Sequence, residues 1–398
     1  MPWKSEYLDE QRLGFLKRWR AGKTSVTELC REVGISRKSA YKWMKRWEEE
    51  GWHGLQDRSR RAKAVHNRPD TCWLERISRL RGKHRSWGAK KLRIVMARQY
   101  GARGVPSVAA IGRWLKAWRL SRRKAKRGVK RGGLIDRPHL TVASRPNEVW
   151  SVDFKGWFRT GDGCRVNPLT VRDMATCFLL AVELVRNQSV EATQEAFERI
   201  FTRCGLPMAI RVDNGCPFGA DAPLGLTRLS AWWIRLGIRV EFITPATPGE
   251  NAAHEQMHRI YKAEVANAPA PTLRAQKRRS VKWLQEYNEV RPHEGLAMLC
   301  PAQLYKKSQR RMPVKLSALS YPHAWLSRLV KGKGMISLNG HRRFIGEAFE
   351  GERIGLKRTI QGWDVYFGAL QIGMLTASDQ AGLHALQYRK RSQQRASR

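Results

Sequence analysis

The segment between Asn147 and Asn251 alternates apolar runs with amphipathic stretches, and this alternation limits the folds that the chain can adopt. Three apolar runs come first and predict strands, and a stretch with an apolar stripe at helical spacing then predicts a helix. Strands and helices follow in turn, in the order β-β-β-α-β-α-β-α. This order predicts a mixed sheet with helices packed on its faces. The predicted strands are residues 149–158, 164–171, 178–185, 208–212 and 238–243, and the predicted helices are residues 189–204, residues 229–236 and one that starts at Asn251.

Three widely separated acidic residues fall on this predicted framework. Asp153 lies in the first strand, Asp213 directly follows the fourth strand, and Glu255 lies in the last helix. Carboxylates at strand ends and on a facing helix can converge although they are far apart in sequence. Mg²⁺ prefers oxygen ligands and keeps several waters, so two or three carboxylates and a substrate phosphate complete its coordination. Two such ions, about 3.5–4 Å apart, support an in-line displacement at phosphorus.

The net charge indicates the same kind of substrate. Lys and Arg number 76 and Asp and Glu number 34, which gives a formal charge of +42. This excess indicates a polyanionic partner, most simply nucleic acid, although a ribosome-associated protein has the same composition. The seven cysteines contain no C-x-x-C pair, so neither a zinc ribbon nor a disulfide framework is indicated, and a reducing cytoplasm suits them.

The first fifty residues predict a helix-turn-helix unit. A helix near residues 11–20 is followed by a short helix, a turn at Gly34 and a third helix that begins after Ser36 as its N-cap. In such a unit the last helix enters the major groove of DNA. A generic helical hairpin with a solvated basic face has the same pattern. The candidate DNA contacts are Arg37, Lys38 and Lys42, and the side chains predicted to face inward are Ile35, Ala40, Trp43 and Trp47.

A second helical module is predicted over residues 70–120, with its last helix beginning at Ser107. Residues 119–131 then hold eight basic side chains and no acidic one. Such a run cannot pack against itself, so it predicts a solvated linker or a phosphate-binding tether. The candidate DNA contacts in this run are Arg122, Arg123 and Lys124.

Residues 254–258 read HEQMH and match H-E-x-x-H, the helical zinc-binding motif of metalloproteases. The longer form of that motif fails, because Tyr261 and Glu264 occupy its glycine and final histidine positions. Two DNA-binding modules and a charge of +42 have no role in a protease. We therefore interpret His254 and His258 as flanks of Glu255 that face either DNA or the packing partner of the helix.

Other polar residues near these positions have ordinary structural interpretations. Glu250 is off the helical face of Glu255 and fits a first-turn charge that the helix dipole favours. We expect Asp173 to cap a turn after a strand and Asp162 to lie in a hairpin loop. His293 is equally a candidate DNA contact or a local cap.

Five motifs, in one order along the chain, resemble those of a known family. They are WSVDFKG from Trp150, PLTVRD from Pro168, DNGCPF from Asp213, NAAHEQMHR from Asn251 and YNEVRPH from Tyr287. From about residue 10 to residue 370 the chain resembles the DDE transposases of bacterial insertion sequences, which belong to the retroviral integrase superfamily and have an RNase H-like core.

The resemblance implies a catalytic site and its metal. Asp153, Asp213 and Glu255 would be the catalytic and metal-binding triad, with two Mg²⁺ ions that Mn²⁺ can replace and no other cofactor. Lys262 matches a basic position that touches DNA, and His258 and Arg259 are candidate contacts beside it.

The resemblance also implies a reaction and its partners. The protein would bind terminal inverted repeats, cleave the element's 3′ ends with water and join each 3′-OH to target DNA. It would work as at least a dimer on double-stranded DNA in the bacterial cytoplasm, at the nucleoid, with no membrane. Ala252 stands where the family usually has glycine. An alternative is therefore a domesticated, catalytically impaired DNA-binding regulator with the same fold.

The predicted architecture is multidomain: all-α helix-turn-helix modules, a central α/β RNase H-like catalytic core and a small C-terminal β-barrel. The barrel rests on several short strands and on the Asn339-Gly340 hairpin signal. The expected domains are residues 8–62 and 70–120 (helix-turn-helix), 119–146 (basic linker), 147–310 (catalytic core), 325–380 (β-barrel) and 385–398 (basic tail).

Overall fold

The computed structural model describes residues 8–58, 70–121, 140–220, 222–244, 247–376 and 382–385. The chain divides into two compact units, residues 1–69 and residues 70–398. The predicted DNA contacts Arg122, Arg123 and Lys124 and nearly all of the basic tail lie outside the described residues. Within the described ranges, no helix is long and apolar enough to cross a membrane.

The first unit is the predicted helical unit. It contains α1 (Leu8–Arg20), α2 (Val26–Val33) and α3 (Arg37–Glu50). Ser36 caps α3 by accepting a hydrogen bond from the backbone N–H of Ser39, and Gly34 ends α2 in the left-handed conformation with φ 70°. Both features follow from the sequence, because a serine hydroxyl satisfies a free helix N–H and glycine lacks the Cβ that opposes positive φ. As predicted, Ile35, Ala40 and Trp43 are buried and Trp47 packs against them.

A second group of three helices opens the second unit: α4 (Thr71–Lys83), α5 (Ala89–Tyr100) and α6 (Val108–Ala117). The helix start predicted at Ser107 is confirmed, since Ser107 is the N-cap of α6 and accepts a hydrogen bond from the backbone N–H of Ala110. The buried side chains between the three helices are Ile77, Trp87, Leu92, Met96, Val105, Ile111 and Leu115.

The central region is a mixed sheet with helices on both faces. Strand β1 lies between β3 and β5, β5 also pairs with β6, and β3 also pairs with β2 and β4. The β1–β5 and β5–β6 pairs are parallel, and the other pairs are antiparallel. The strands are β1 (Val149–Phe154), β2 (Phe158–Arg159), β3 (Arg165–Asp173), β4 (Leu179–Val185), β5 (Ala209–Val212) and β6 (Arg239–Phe242), and the helices are α7 (Val190–Cys204), α8 (Arg228–Arg235), α9 (Ala252–Tyr261) and α10 (Leu273–Gln285).

The element order is the predicted one, with one correction. Residues 149–158 were predicted as a single strand, but the structure divides them between β1 and β2. Gly156 separates the two strands because its φ of +85° lies outside the β region. The chain still follows β3 across the gap, since the N–H of Lys155 donates to the carbonyl of Pro168 at 2.9 Å.

Each face of the sheet buries an apolar layer. Trp150 and Val152 of β1 pack against Phe201 of α7 and Trp233 of α8 on one face. On the other face, residues of α9 and α10 cover β4. Burying each large apolar side chain stabilises the fold by roughly 1.5–3 kcal/mol, so both layers hold the sheet between its helices. The side chains of this second layer are Leu179, Met257, Tyr261, Val265, Trp283 and Tyr287.

The carboxy-terminal region is rich in sheet, as predicted. Asn339 and Gly340 connect β8 to β9 with φ of 51° and 79°, the two positive values that a tight hairpin turn requires. The other strands form an antiparallel sheet in the order β13-β12-β11-β10-β7, and sheet and hairpin share one apolar core. The strands are β7 (Leu326–Leu329), β8 (Met335–Leu338), β9 (His341–Phe344), β10 (Arg353–Thr359), β11 (Gly362–Phe367), β12 (Leu370–Thr376) and β13 (His384–Ala385).

Close backbone packing in the first unit generates a prediction. A Cβ at Gly54 would lie 2.2 Å from the carbonyl oxygen of Arg46, so Gly54→Ala must push α3 away from the following turn. We expect it to destabilise the unit by about 1–3 kcal/mol. Gly14→Ala is the matched control, because Gly14 lies within α1 with no atom inside 4 Å of the added Cβ and should gain about 0.5–1 kcal/mol.

Hydrogen–deuterium exchange of the α3 amides in the full-length chain measures both effects. Faster exchange in Gly54→Ala and equal or slower exchange in Gly14→Ala are expected. Unchanged α3 protection in Gly54→Ala would show that the close packing against Arg46 is wrong.

Candidate active site

The parallel pairing of β1 with β5 brings two of the candidate carboxylates together. Val149 pairs with Ala209 and Ser151 pairs with Arg211. The same register, continued by two residues, places Asp153 opposite Asp213. Because neighbouring strands lie about 4.8 Å apart, the two aspartates end side by side at the carboxyl edge of the sheet.

Burial and neighbouring charge change the ionisation of the two aspartates. Burial, followed by the negative charge of Asp213, raises the pKa of Asp153 to about 7. Burial also raises the pKa of Asp213, although the backbone N–H of Gly215 opposes the shift. Neighbouring carboxylates resist ionising together, and a cation bound between them reverses this preference. The pair is therefore suited to hold a positive ion.

Helix α9 brings the third carboxylate to the same edge. Asn251, immediately before the helix, donates from its side-chain N–H to Oδ2 of Asp153 at 3.4 Å. Glu255 lies in the first turn of α9, is exposed, and its negative charge contributes to the raised pKa of Asp153. The structure therefore brings Asp153, Asp213 and Glu255 to one region of the molecule.

The donor set is the one that a hard divalent cation requires. All three groups are carboxylates, and Mg²⁺ takes carboxylate oxygens and retains waters. Within the part of the chain that the structure describes, no three His, Cys, Asp or Glu side chains stand close enough together to hold an ion as they are. The exposed side chain of Glu255 is the one free to turn toward the two aspartates, so the residues fit the cation by chemistry and by placement.

Two buried histidines hold α9 against the sheet. His254 is 1% exposed, with Nδ1 2.8 Å from the hydroxyl of Ser151 and Nε2 2.7 Å from the hydroxyl of Thr170. Nε2 of His258 is also 2.7 Å from the Thr170 hydroxyl. One threonine side chain on β3 therefore anchors both histidines of the helix that carries Glu255.

The hydrogen-bond pattern assigns the protons of this cluster. Thr170 donates its hydroxyl hydrogen to the carbonyl of Asp153 at 2.9 Å, so it must accept from both histidine Nε2–H groups. Ser151 then donates to Nδ1 of His254, which is neutral because burial lowers its pKa well below the ordinary value. Burial likewise lowers the pKa of His258 to about 3. The histidines therefore add no positive charge beside Asp153.

This placement corrects the predicted role of His258. Its ring is only 8% exposed and faces Thr170, with Nδ1 3.7 Å from Oδ2 of Asp153, so it packs on the sheet and does not face DNA. The second of the two interpretations, a face toward the packing partner of the helix, is the one the structure shows for both histidines. The zinc motif fails as well, since these rings bind hydroxyl groups.

Basic side chains lie on the open side of the candidate site. The positive charge of Lys262 lies near Lys155 and, after burial, is a cause of its lowered pKa. Lys155 in turn lies near the negative charge of Asp153. Lys262 begins a π-helical turn directly after α9, and both it and Arg259 are exposed. Sequence reasoning did not assign Lys155 a role, because only the fold shows that it lies beside Lys262.

The other polar residues have the structural roles that we expected. Asp173 accepts hydrogen bonds from the backbone N–H and the hydroxyl of Thr176 in the turn after β3. Asp162 lies in the β2–β3 hairpin loop and accepts from Thr160 and from the N–H of Cys164.

Two further positions are settled by their contacts. Glu250 accepts from the N–H of Thr244 at 2.7 Å, which ties the segment before α9 to the end of β6. Nε2 of His293 is 3.2 Å from the carbonyl of Tyr287, so this histidine is a local cap.

The backbone at Ala252 does not require glycine. Its φ of −54° and ψ of −35° are ordinary helical values, and its side chain is exposed. A residue with a Cβ therefore enters α9 without strain. The departure at this position gives no structural support to the alternative of an impaired enzyme.

The predicted DNA contacts of the first unit lie on its surface. Arg37, Lys38 and Lys42 are exposed on the first turns of α3, and the ammonium of Lys42 lies 4.9 Å from the ring centroid of Trp43. The buried face of the same helix is Ala40, Trp43 and Met44. The helix thus has a basic outer face and an apolar inner face.

Family models match four segments of the chain. Residues 11–63 match a helix-turn-helix domain, residues 143–248 and 236–301 match integrase core domains, and residues 326–380 match the C-terminal domain of IS481 family transposases. Over these residues the chain is similar to helix-turn-helix domains, integrase cores and IS481 family transposases.

Two relatives of this chain are proteins of insertion elements. An uncharacterized 31.7 kDa protein of insertion element IS407 from Burkholderia multivorans is 32% identical over 46% of this chain and 64% of its own length. An uncharacterized 39.2 kDa protein of insertion element IS476 from Xanthomonas euvesicatoria is 28% identical over 57% of this chain and 63% of its own. The chain thus spans less than two thirds of the length of either relative.

Solved integrase structures overlap parts of this chain. The match to the HTLV-2 integrase catalytic core domain in complex with magnesium extends over 41% of this chain and 98% of the integrase chain, with 15% identity and a TM-score of 0.30. The match to a chain of the simian T-cell lymphotropic virus intasome in complex with PP2A regulatory subunit B56 gamma extends over 76% of this chain and 99% of that chain, with 12% identity and a TM-score of 0.36.

The fold class predicted from the sequence is confirmed. A helix-turn-helix region, an integrase-type RNase H-like core and a sheet-rich C-terminal region follow one another along the chain. The Ser151–Thr170 anchor of α9 was not predicted. The sequence feature that could have indicated this anchor is a stripe of four residues at helical spacing, all buried on one face of α9: His254, Met257, His258 and Tyr261.

The histidine anchor generates a prediction about stability. Thr170→Val removes the hydroxyl that accepts from His254 and His258 while keeping the shape of the side chain. We expect a loss of about 1–3 kcal/mol, because buried donors are left unpaired. Thr202→Val is the matched control, since the Thr202 hydroxyl is exposed on α7 and bonds only within its helix. Equal urea unfolding midpoints for the two variants would contradict the anchor.

The raised pKa of Asp153 generates a second prediction. An acid that holds its proton more tightly in the folded state destabilises the fold as pH rises past its unfolded pKa. For Asp153 that window runs from the ordinary 3.8 to about 7. In EDTA, Asp153→Asn should therefore become more stable than the native chain by on the order of 2 kcal/mol at pH 8.

Denaturant unfolding at pH 4 and pH 8 measures the difference between the two proteins. The gain from Asp153→Asn should be small at pH 4 and present at pH 8. A gain that is equal at both pH values, or a loss at pH 8, would count against the repulsion between the aspartates.

Proposed function

We propose that the protein is a Mg²⁺-dependent transposase that binds the ends of its element and cleaves and joins DNA. The carrying observation is the register of β1 with β5, which aligns Asp153 with Asp213 beside the helix of Glu255. The family and the charge of +42 support a DNA substrate.

The first chemical step would be hydrolysis at the element's end. Water attacks the scissile phosphorus, the bond to the 3′ oxygen breaks, and that oxygen leaves as a free 3′-OH. In the second step the 3′-OH attacks a target phosphodiester, forms a new bond to phosphorus and displaces a target 3′ oxygen. The first step converts a phosphodiester and water into a phosphomonoester and a hydroxyl, and the second step exchanges one phosphodiester bond for another. Neither step therefore needs an energy cofactor.

Asp153, Asp213 and Glu255 would hold the divalent ions. Bound there, two such ions lower the pKa of the attacking oxygen and stabilise the leaving oxygen. The anchor formed by Thr170, His254 and His258 would fix α9, and with it the backbone of Glu255, relative to the strand of Asp153. Lys155 and Lys262 would bind the phosphates that flank the reacting one, since both lie on the open side of the site.

The remaining parts would bring DNA and active site together. Residues 8–62 and 70–120 would grip the terminal inverted repeats, and Arg37, Lys38 and Lys42 would enter the major groove. Residues 119–146, with Arg122, Arg123 and Lys124, would follow the phosphates as a basic linker. Residues 147–310 would be the catalytic core, residues 325–380 a further DNA-binding or assembly domain, and residues 385–398 a basic tail. Two ends must be joined in one event, so we propose at least a dimer on DNA, acting at the nucleoid.

Charge removal at the triad tests the proposed chemistry. Asp153→Asn, Asp213→Asn and Glu255→Gln should each abolish end cleavage and strand transfer in Mg²⁺ or Mn²⁺, with a drop of at least about 10³-fold as expected for a lost metal ligand set. Affinity for the end duplex should stay close to that of the native protein. Glu195→Gln, an identical change of charge at an exposed position on α7, is the control and should retain activity.

Cleavage is measured on a labelled duplex carrying the element's own end. Normal product yield from any of the three triad variants would remove that residue from the proposed site. An inactive native protein that still binds the duplex tightly would instead favour the DNA-binding regulator.

The proposed recognition helix has its own test. Replacing Arg37, Lys38 and Lys42 together by alanine should weaken end binding and reduce the slope of log K against log salt by up to about 0.9 per lost phosphate contact. Lys17→Ala removes an exposed charge from α1, away from α3, and serves as the control. Binding titrations over a range of salt decide the matter; an unchanged slope in the triple variant would contradict the assignment of α3.

A further inference from the structure

A partly buried charged junction joins the second helical module (α4–α6) to the catalytic core. Glu264, in the π-helical turn that follows α9, accepts hydrogen bonds from Ser86 of the module and from Arg291 of the core. It also accepts from the indole N–H of Trp283 at 2.7 Å. We call these residues, together with His84 and Glu286, the Glu264 junction.

The second charged contact of the junction lies on α10's π-helical extension. Nδ1 of His84, in the turn between α4 and α5, is 2.9 Å from Oε1 of Glu286. His84 stacks on Trp87 with ring centroids 3.8 Å apart, and the guanidinium of Arg291 lies 5.6 Å from the Trp87 ring. A single turn of the module is thus held by two core carboxylates and one core arginine.

A separate contact prevents the module from rotating about that turn. Arg98, in the last turn of α5, donates to the carbonyl of Met298 and to Sγ of Cys300, both at 2.8 Å. The two attachment points lie at opposite ends of α5. Two points on a rigid helix fix its direction as well as its position, so the module is docked in one orientation.

The docked orientation leaves basic groups of α6 available. Arg113 and Lys116 are exposed on this helix, which Ser107 caps. In the module, therefore, the α4–α5 turn and α5 contact the core while α6 presents positive charge to solvent. A duplex that contacts α6 is then held at a fixed place relative to the core.

A continuous helical stretch connects the junction to the candidate active site. Glu255 lies in α9 and Glu264 in the π-helical turn that extends it. At about 1.5 Å per residue, nine residues separate the two by roughly 13 Å along the helix axis. Anything that moves Glu264 relative to the module also moves Glu255 relative to DNA bound on α6.

The junction resists separation because its arginine is buried. Arg291 is 2% exposed, so movement of the module, with its Ser86 and Trp87, away from the core would uncover the Arg291 charge. Burial alone would raise the pKa of Glu264, but the hydrogen bond and positive charge of Arg291 outweigh it and lower the pKa. The carboxylate is thus held in its charged form as the acceptor for the module.

We infer that the Glu264 junction fixes the spacing between the DNA held on α6 and the active site, and so sets which phosphodiester is cut. This inference rests on the proposed function for its DNA substrate and its cut. Ser86 and Glu264 are positioning residues in this account, since neither contacts the reacting atoms.

Two variants in the full-length chain test the spacing. Ser86→Ala removes the hydrogen bond between Ser86 and Glu264 and leaves the His84 and Arg98 contacts in place, and Glu264→Gln removes the charge that holds Arg291. Ser86→Thr keeps the hydroxyl and should therefore keep the native spacing and cut position. Glu195→Gln is the charge-matched control on α7. Losing one such bond should lower the ratio of docked to undocked module by about fivefold.

Two readouts on a duplex carrying the element's own end keep the inference separate from the proposed chemistry. Hydroxyl-radical footprints taken in Ca²⁺ give the spacing between the bases protected by the module and those protected by the core. Mapping of cut ends in Mg²⁺ gives the distribution of cleavage positions.

The native protein, Ser86→Thr and Glu195→Gln should show one spacing and one main cut. Ser86→Ala and Glu264→Gln should show blurred spacing and a several-fold smaller fraction of cuts at the main position. If Glu264→Gln fails to fold, Ser86→Ala decides. A single native spacing in Ser86→Ala overturns the inference. Lack of cutting by the native protein overturns the proposed function. In that case the footprint spacing alone tests whether the junction fixes the position of the module relative to the core.

Discussion

The parallel pairing of β1 with β5 is the constraint on which the candidate site depends. Its register sets Asp153 against Asp213 across about one strand spacing, and neither residue reaches the other without it. The sheet keeps that register because Trp150 and Val152 are buried against α7 and α8, and a slip by one residue would turn them to the opposite face. The same slip would turn Asp153 away from α9. Core packing and active-site geometry therefore depend on one alignment.

Hydrogen bonds then connect that alignment to the helices. Thr170 on β3 binds the carbonyl of Asp153 and both histidines of α9. These hydrogen bonds fix the position of the helix of Glu255 relative to the strand of Asp153. At its other end the same helical stretch meets Glu264, which binds the second module through Ser86. A cluster of this kind is costly to leave half-satisfied in a buried site, which favours one arrangement over its neighbours. The structure thus links the second helical module to the carboxylates through rigid elements.

Much of this was predictable from sequence, and the failures have a common cause. Local signals worked: Ser36 and Ser107 as N-caps and Asn339-Gly340 as a hairpin turn depend on backbone conformation within a few residues. The order of strands and helices followed from apolar periodicity. Contacts that join distant segments were not predictable, such as His254 with Thr170 or Ser86 with Glu264, because they depend on strand register and on the docking of a module. His258 was assigned to DNA for the same reason: its spacing from Glu255 gives a helical face, and the fold decides what that face meets.

The most direct measurement of the central claim is Mn²⁺ binding to the full-length protein bound to its end duplex, followed by electron paramagnetic resonance. The three carboxylates should bind Mn²⁺ tightly enough to remove the free-ion signal at stoichiometric concentration, and the double variant Asp153→Asn, Asp213→Asn should restore that signal. The Glu195→Gln protein should behave like the native one. Equal Mn²⁺ binding by the native protein and the double variant would contradict the account, because the ions would then be held elsewhere.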